Sequence, residues 1–392
     1  MATQLLLHIL KNKEQSLRKH MEQTTMSFTN TSKLIIFGAR SIALGACLAI
    51  EKLYPECEVI GFMVSSLKEN STHLCGLPVI ETDDYEDKDI PVLIAIPEDV
   101  QSVVTDILTD KGFQHIYCLT SDKEAELMGR YYEGIGKFPS LYNTDLYHTD
   151  SHNADSYRAD SIAEIYMAKF YKDKPLKNAY SIPDWVHPIQ VGAALTDQRI
   201  TEITDDSGEN ISTKNVNYCE LTALYWMWKN KLCVEETDKY FGLFHYRRFL
   251  DITDDGLMAM KAKNVDVLLP YPLLHEPDIS EHHSRYIEES DWDAMLQALK
   301  ELYPDYAERF QEILRQPYLY NYNMIIAKRE ILKDYCEWLF PILKRTEELS
   351  TPKGWERADR YIGYLGENLL TLYFMYHAEK WNIKHVGREM LI

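Results

Sequence analysis

The sequence predicts an α/β protein with two domains. In residues 33–120, short apolar runs of strand length alternate with stretches whose apolar positions repeat at helical spacing. The same alternation returns from residue 163 to the end of the 392-residue chain. Alternating strands and helices are typical of sheets with helical crossovers, and at roughly 150 residues per domain this length suits two or three domains. A Tyr-, Asn-, Asp- and His-rich stretch over 131–160 is the expected linker.

The first domain is expected at residues 33–130, and its near-continuous apolar strands predict a parallel sheet that is covered on both faces. Its predicted strands lie at 33–38, 58–64, 78–80, 91–96 and 115–119, and its helices at 41–54 and 100–111. An amphipathic helix is expected at 4–23, followed by a Ser/Thr/Asn-rich connection that ends at residue 32.

The second domain is expected at residues 161–392. Its predicted strands lie at 189–195, 240–245, 266–270 and 322–327, and its helices at 218–230, 290–314, 330–345 and 358–376. Tyr225, Trp226 and Trp228 in the first of these helices are expected to pack in the core, and a sugar-stacking platform is the alternative.

Composition and charge exclude several classes of protein. A net charge of −19 repels the phosphates of nucleic acid, so no nucleic-acid partner is expected. The seven cysteines are scattered without a C-x-x-C motif, which favours reduced, buried thiols over a disulfide scaffold or a structural zinc site. No apolar run reaches the roughly 18 residues of a membrane span, and the N-terminus is unlike a signal peptide. A cytoplasmic protein is expected. Peripheral contact with the inner face of the cell membrane and formation of a homo-oligomer are both compatible with these features.

The first predicted strand runs into a glycine turn that suits a phosphate. Gly38, Arg40 and Ser41 are the candidate cofactor-binding residues, because backbone N–H groups at a strand–helix turn bind phosphate oxygens. Arg40 replaces the second glycine of the dinucleotide motif, and no acidic residue follows the second strand to bind a ribose. The turn therefore gives little support to NAD binding.

The strings Ile-Phe-Gly-Ala-Arg-Ser-Ile-Ala, Val-Ile-Gly-Phe-Met-Val and Cys-Gly-Leu-Pro-Val-Ile resemble the Rossmann-like modules at the front of sugar-modifying and capsule-assembly proteins. The likeness covers about 90 residues of the first domain. It implies either binding of a nucleotide or nucleotide-sugar, or a docking or oligomerisation domain that holds no ligand.

A basic cluster follows the predicted strand 240–245. His245, Arg247 and Arg248 are candidate donor-binding residues, because ligands bind at the carboxyl ends of strands in open α/β sheets. Guanidinium groups bind diphosphates through paired, charge-assisted hydrogen bonds. The alternative is that the two arginines form salt bridges with the acidic residues of 251–255.

Five strings of the second domain resemble the DUF4422 family. They lie at 214–222, 242–249, 322–332, 334–340 and 361–374. That family is associated with capsular and exopolysaccharide glycosyltransferases. The resemblance implies a GT-A-like domain that moves a sugar from a nucleotide-diphosphate donor, with UDP-galactofuranose or UDP-galactose as candidate donors. The implied acceptor is a saccharide or lipid-linked saccharide.

Three further polar residues are candidates for the same site. Glu367 lies near the start of an apolar helical run, where a carboxylate is a candidate general base for an acceptor hydroxyl. Its alternative is a structural pair with Arg357 or Arg360. Glu220 and Asn217 precede the aromatic helix and are expected to contact the donor, although Glu220 is equally suited to anchoring that helix.

The sequence leaves open whether the predicted transferase uses a metal ion. A metal-dependent GT-A enzyme usually holds its cation with an Asp-x-Asp at a strand end. In this chain the Asp-x-Asp string at 87–89 lies in a loop of the first domain. The Asp-x-Asp string at 291–293 begins a helix, where acidic residues are expected as caps. Either Mn²⁺ or Mg²⁺ is held by other groups, or His245 and the arginines stabilise the leaving diphosphate unaided, which the residues slightly favour. His282 and His283 are expected in a polar loop near the acceptor. The alternative is a metal site with His275 and Glu281, which is less favoured because adjacent histidines point to different sides of any element.

The missing Asp-x-Asp also keeps a second function open. A non-catalytic nucleotide-sugar-binding or scaffold subunit of a polysaccharide assembly complex would not need it. The retained His-Tyr-Arg-Arg and Gly-Glu-Asn strings oppose that alternative.

Overall fold

The computed structural model describes residues 27–142, 159–176 and 180–392. The chain divides between Tyr131 and Tyr132 into two compact units, here called the first and second unit. The helix expected at 4–23 lies outside the described residues, as do residues 143–158 of the expected linker. Both units combine strands with helices, which confirms the predicted α/β class.

The first unit is built around one sheet. Its strands are β1 Lys33–Phe37, β2 Glu58–Val64, β3 His73–Leu74, β4 Leu77–Glu81, β5 Val92–Ile94 and β6 Ile116–Cys118, and its helices are α1 Ser41–Leu53, α2 Glu98–Asp110 and α3 Ser121–Gly134, the last of which crosses the division. The strand order is β3-β4-β2-β1-β5-β6, and only the β3–β4 pair is antiparallel. From β4 to β6 this is the order of a Rossmann-like half, with the first parallel strand at its centre.

The second unit contains a larger, mixed sheet. Its strands are β7 Ala163–Lys169, β8 Val186–Gln190, β9 Ile203–Thr204, β10 Tyr240–His245, β11 Arg248–Leu250, β12 Val267–Pro270, β13 Leu273–Leu274, β14 Tyr318–Leu319, β15 Ile325–Lys328, β16 Ile383–Val386 and β17 Arg388–Met390. Its helices are α4 Ala159–Ile162, α5 Asn215–Tyr218, α6 Leu221–Met227, α7 Asp254–Ala262, α8 Ser280–Tyr286, α9 Glu289–Leu302, α10 Pro304–Leu314, α11 Arg329–Leu349 and α12 Tyr361–Tyr376.

Strand β10 occupies the middle of this sheet. The order is β16-β12-β15-β10-β7-β8-β9, with β11 pairing to β10 and to β17. Strands β10, β7, β8 and β9 are parallel, whereas β15 runs antiparallel to both β10 and β12. The carboxyl ends of β10, β7 and β8 therefore share one edge, where polar side chains can converge.

Two predicted helices of the second unit are broken by local backbone chemistry. The helix expected at 218–230 is interrupted at Cys219, whose φ of 49° is left-handed, so that α5 and α6 are separate. The helix expected at 290–314 is two helices, because Pro304 begins α10 and cannot continue α9. Trp226 and Trp228 are buried, which confirms their assignment to the core.

Strand β7 was not predicted, because Ala-Glu-Ile-Tyr-Met-Ala-Lys has little strand propensity of its own. It is buried between β10 and β8, so sheet pairing decides its conformation. No helix among the described residues has both the length and the apolar composition needed to cross a bilayer.

Candidate active site

Two predicted site residues meet at the end of β10. His245 is the last residue of the strand, and its Nε2 lies 2.5 Å from the carbonyl oxygen of Tyr322. The same Nε2 is 3.9 Å from Oε1 of Glu220, which is buried at the start of α6. The strand end therefore brings together a histidine and a carboxylate that are 25 residues apart in sequence.

A tight turn before β15 supplies amide groups to this region. Asn323 donates from Nδ2 to Oε1 of Glu220 at 2.7 Å, and Asn321 donates from Nδ2 to Oε2 of Glu367 at 3.4 Å. Tyr322 and Asn323 have φ values of 73° and 50°, so the backbone is left-handed at both positions. Asparagine adopts this region more readily than most residues. One short turn thus connects the two candidate carboxylates, and the strand expected at 322–327 begins only at Ile325.

Glu367 pairs with a histidine rather than with an arginine. It lies in the second turn of α12, and its Oε2 is 3.1 Å from Nε2 of His282. Arg357, the alternative partner, instead forms a bidentate pair with the fully buried Asp291. The nitrogen Nε of Arg360 lies 3.3 Å from the sulfur of Cys219. The expected arginine partners are therefore engaged elsewhere.

We call the residues joined in this way the polar cluster: Glu220, His245, His282, Asn321, Asn323 and Glu367. Within the described part of the chain, no hydrogen-bond partner reaches Oδ1 of Asn321, Oδ1 of Asn323 or Nδ1 of His282, although all three atoms are buried. Buried polar atoms in proteins nearly always have a partner. The polar cluster thus offers two carbonyl acceptors and a ring nitrogen that suit the hydroxyl groups of a ligand.

Arginines lie beside the polar cluster. The guanidinium of Arg248 is 4.7 Å from the ring centroid of Tyr322, and that of Arg388 is 5.6 Å from the same ring. Burial raises the pKa of the Asp173 carboxyl, and the nearby charges of His245 and Arg247 oppose that rise. These contacts place cationic groups at the same strand end as His245.

The sequence left open an alternative in which Arg247 and Arg248 form salt bridges with the acidic residues of 251–255. One of these, Asp254, accepts a hydrogen bond from Nε1 of Trp185 at 2.7 Å.

Arg388 was not predicted from the sequence, because it reaches the candidate site only through the pairing of β17 with β11, in which it lies opposite Leu250.

Asn217 has a different part from the one predicted. Its amide donates to the carbonyls of Gly354 and Arg357 at 2.6 and 2.8 Å. Its Oδ1 accepts from the N–H groups of Asp359 and Arg360 at 3.0 and 3.4 Å. These four bonds use the full capacity of the amide. The geometry therefore gives Asn217 a positioning role for the segment before α12 and leaves no capacity for the expected donor contact.

A protonated thiol and a stacked pair of tyrosines lie next to the polar cluster. Burial raises the pKa of the Cys219 thiol to about 12, so at neutral pH it is protonated and a poor nucleophile. The rings of Tyr286 and Tyr364 stack with centroids 4.9 Å apart, and Tyr286 is 48% exposed. Because Tyr286 also contacts the ring of His282, the pair presents an aromatic face beside the polar cluster.

The candidate residues of the first unit lie at the predicted strand–helix turn. Gly38 has a φ of 125°, and a β-carbon there would lie 2.6 Å from the carbonyl oxygen of Ala95, so packing within the protein already requires glycine. The guanidinium of Arg40 donates to the carbonyl oxygen of Glu69. Ser41 begins α1. Nucleotide binding at this turn stays a prediction.

A family model for a domain of unknown function, DUF4422, matches residues 173–379, which is more than half of the chain. The chain belongs to the DUF4422 family. This confirms the resemblance seen in the sequence. The matched region contains all six residues of the polar cluster together with Arg247 and Arg248, whereas the glycine turn of the first unit lies outside it.

Comparison with curated proteins finds no match. Among solved structures, the chain is similar to the apo structure of WbbM, a bifunctional glycosyltransferase, with 28% sequence identity and a TM-score of 0.50. The similarity covers 59% of this chain and 45% of the WbbM chain. This chain therefore corresponds to less than half of that protein.

Proposed function

We propose that the second unit is a glycosyltransferase that moves a sugar from a nucleotide-diphosphate donor to a saccharide acceptor. The observation that carries the proposal is the polar cluster, which contains His245 at the end of β10, a buried carboxylate–histidine pair, and amide oxygens that have no hydrogen-bond partner among the described residues. The DUF4422 membership and the likeness to the glycosyltransferase WbbM support it.

In this proposal the donor diphosphate binds at the arginines. Arg247 and Arg248 follow β10, and Arg388 lies over the same tyrosine ring as Arg248. A leaving diphosphate gains negative charge as the sugar departs, and guanidinium groups stabilise that charge through paired hydrogen bonds. His245 adds a ring nitrogen at the same strand end. A UDP-sugar is the proposed donor, with UDP-galactofuranose and UDP-galactose as the first to test. The proposal holds with or without a bound Mn²⁺ or Mg²⁺ ion.

Glu367 is the proposed general base. Its carboxylate takes the proton of the acceptor hydroxyl while that oxygen bonds to the anomeric carbon and the bond from the sugar to the diphosphate breaks. His282 is a positioning residue, because its Nε2 holds Oε2 of Glu367 at 3.1 Å. Glu220 is held by Asn323 and lies near His245, which suits contact with the donor sugar.

The aromatic face suits the acceptor. Tyr286 and Tyr364 are stacked on each other, and the exposed side of Tyr286 can pack against the apolar face of a sugar ring. A saccharide or lipid-linked saccharide of capsule or exopolysaccharide synthesis is the proposed acceptor. The neighbouring cation Arg360 would also suit an acidic sugar.

The test is acceptor-dependent release of UDP by the full chain. A panel of UDP-hexoses is incubated with saccharide acceptors, with and without Mn²⁺ or Mg²⁺, and both UDP and the product mass are measured. We expect one donor to give UDP release together with an acceptor product that is heavier by one hexose. Binding of UDP-sugars without turnover over the whole panel would contradict the proposal and would favour a non-catalytic binding subunit.

A further inference from the structure

A cluster of two thiols and a carboxylate lies in the first unit, on residues outside the Gly38–Ser41 turn. One ligand atom each from Cys47, Glu51 and Cys75 lies within 4.8 Å of the other two. The sulfur of Cys47 is 3.7 Å from Oε1 of Glu51. Cys47 and Glu51 are one turn apart on α1, so that they share a face of the helix, and Cys75 approaches from the β3–β4 hairpin.

The hairpin holds Cys75 in an unusual conformation. Leu74 pairs directly with Leu77, which leaves Cys75 and Gly76 as a two-residue turn with φ values of 52° and 74°. A turn with both central residues at positive φ favours asparagine or glycine. A cysteine there costs about 1 kcal/mol or more relative to a residue that tolerates this region. Local backbone preference therefore does not explain this cysteine, whereas contact of its thiol with Cys47 does.

The three groups also differ in exposure in a useful way. Cys47 is fully buried, Cys75 is half-buried and Glu51 is exposed. A hydrogen bond with Cys75, burial, and the charge of Glu51 raise the pKa of the Cys47 thiol, so the thiol keeps its proton while no cation is bound. The three groups thus extend from solvent at Glu51 to a buried sulfur at Cys47.

We infer that Cys47, Glu51 and Cys75 bind a soft divalent cation of the Zn²⁺ class. Thiolate sulfur with a carboxylate oxygen is a donor set that Zn²⁺ accepts, and three protein ligands leave a fourth tetrahedral position open. Bonds of about 2.3 Å to sulfur and about 2.0 Å to oxygen place two tetrahedral ligands roughly 3.5 Å apart, close to the separation of Cys47 and Glu51. Binding releases the two thiol protons to solvent. The 28-residue gap between the cysteines hid this site from motif analysis.

The test uses the reduced full chain, freed of metal by a chelator and titrated with Co²⁺ under anaerobic conditions. A thiolate-to-cobalt charge-transfer band should saturate at about one ion per chain, and Zn²⁺ should abolish it by displacement. Cys47→Ser and Cys75→Ser should each remove most of the band. Glu51→Gln should keep the band and weaken Co²⁺ affinity about tenfold or more. Cys118→Ser is the matched control, because this half-buried thiol of the same unit contacts Thr105.

Three results would overturn the inference. The first is a wild-type chain with free thiols and no charge-transfer band. The second is a band that survives in Cys75→Ser, whose position on the hairpin keeps the test valid if Cys47→Ser fails to fold. The third is a native chain with two fewer titratable thiols before any metal is added, which would indicate a disulfide between Cys47 and Cys75.

Discussion

The two candidate nucleotide sites differ in how their polar groups are satisfied. At the glycine turn of the first unit, Gly38 packs against the backbone of Ala95, and Arg40 donates to a backbone carbonyl. In the polar cluster of the second unit, buried atoms of Asn321, Asn323 and His282 have no hydrogen-bond partner within the described residues. A motif at a strand end marks a position where ligands can bind, whereas unpartnered buried polar atoms mark a position where a ligand or an ordered water completes the hydrogen bonds.

The largest effect is expected at the proposed base. Glu367→Gln keeps the shape of the side chain and its contact with Asn321 but removes the proton acceptor, so kcat should fall by roughly 10²–10⁴-fold. Affinity for UDP should stay within about twofold, because the base contacts the acceptor. Steady-state kinetics and UDP titration measure the two quantities.

Glu347→Gln is the matched control for this substitution. Glu347 is also a buried carboxylate of the second unit, but it pairs with Lys214 and with the hydroxyl of Tyr218. We expect this variant to lower the unfolding midpoint while the folded protein keeps its kcat. Equal losses of kcat in Glu347→Gln and Glu367→Gln would mean that Glu367 has only a structural role.

A smaller effect is expected on the affinity for UDP, and matched substitutions in the two units compare their candidate nucleotide sites directly. Arg247→Ala should raise the Kd for UDP by about 10–100-fold, since a hydrogen bond to a charged group contributes roughly 1.5–3 kcal/mol. Arg40→Ala, the corresponding change at the glycine turn, should leave that Kd within about twofold. Isothermal titration of the full chain measures both. The reverse pattern would move nucleotide binding to the first unit.

A separate effect, on stability rather than on catalysis or binding, concerns a buried histidine of the second unit whose ring nitrogens both have partners. His385 lies between the hydroxyl of Tyr320 and the carbonyl of Pro139, and burial lowers its pKa to about 3. Between pH 6.5 and 3 the unfolded chain binds one more proton at this residue, so the free energy of unfolding falls as the pH falls. The slope from this group is about 1.4 kcal/mol per pH unit.

Denaturant unfolding of the wild-type protein and of His385→Gln between pH 6 and pH 4 isolates this contribution. The variant should show the shallower pH dependence, because glutamine does not titrate. Parallel pH profiles would mean that His385 is protonated in the folded protein or that the region opens before the rest of the unit unfolds.

The sequence predicted those parts of the site that are local in the chain. The strand 240–245 was predicted with its observed bounds, because an apolar run ends there in a basic cluster. Glu367 and Glu220 were selected as polar residues near apolar helices, and both belong to the polar cluster. The polar loop predicted for His282 and His283 is wrong, because both are buried in α8, where they contact different partners, Glu367 and Trp292.

Other parts of the candidate site were not predicted, because they depend on tertiary structure or on a turn signal in the sequence that the strand prediction did not use. The predicted strand 322–327 begins with Tyr322 and Asn323, which instead have a left-handed backbone, and the two asparagines around Tyr322 are a usable signal for such a turn. Arg388 depends on a strand pair between β11 and β17 that no local pattern indicates. Asn217 was taken for a donor contact, because the sequence does not show that the segment before α12 returns to bind it.

The most direct test of the account is a crystal structure of the full chain with UDP bound. We expect a diphosphate within hydrogen-bond distance of the guanidinium groups of Arg247 or Arg248, beside His245 at the end of β10. Oδ1 of Asn321, Oδ1 of Asn323 and Nδ1 of His282 should face the space next to the diphosphate, where a donor sugar would lie. A diphosphate bound instead at the Gly38–Ser41 turn would contradict the account.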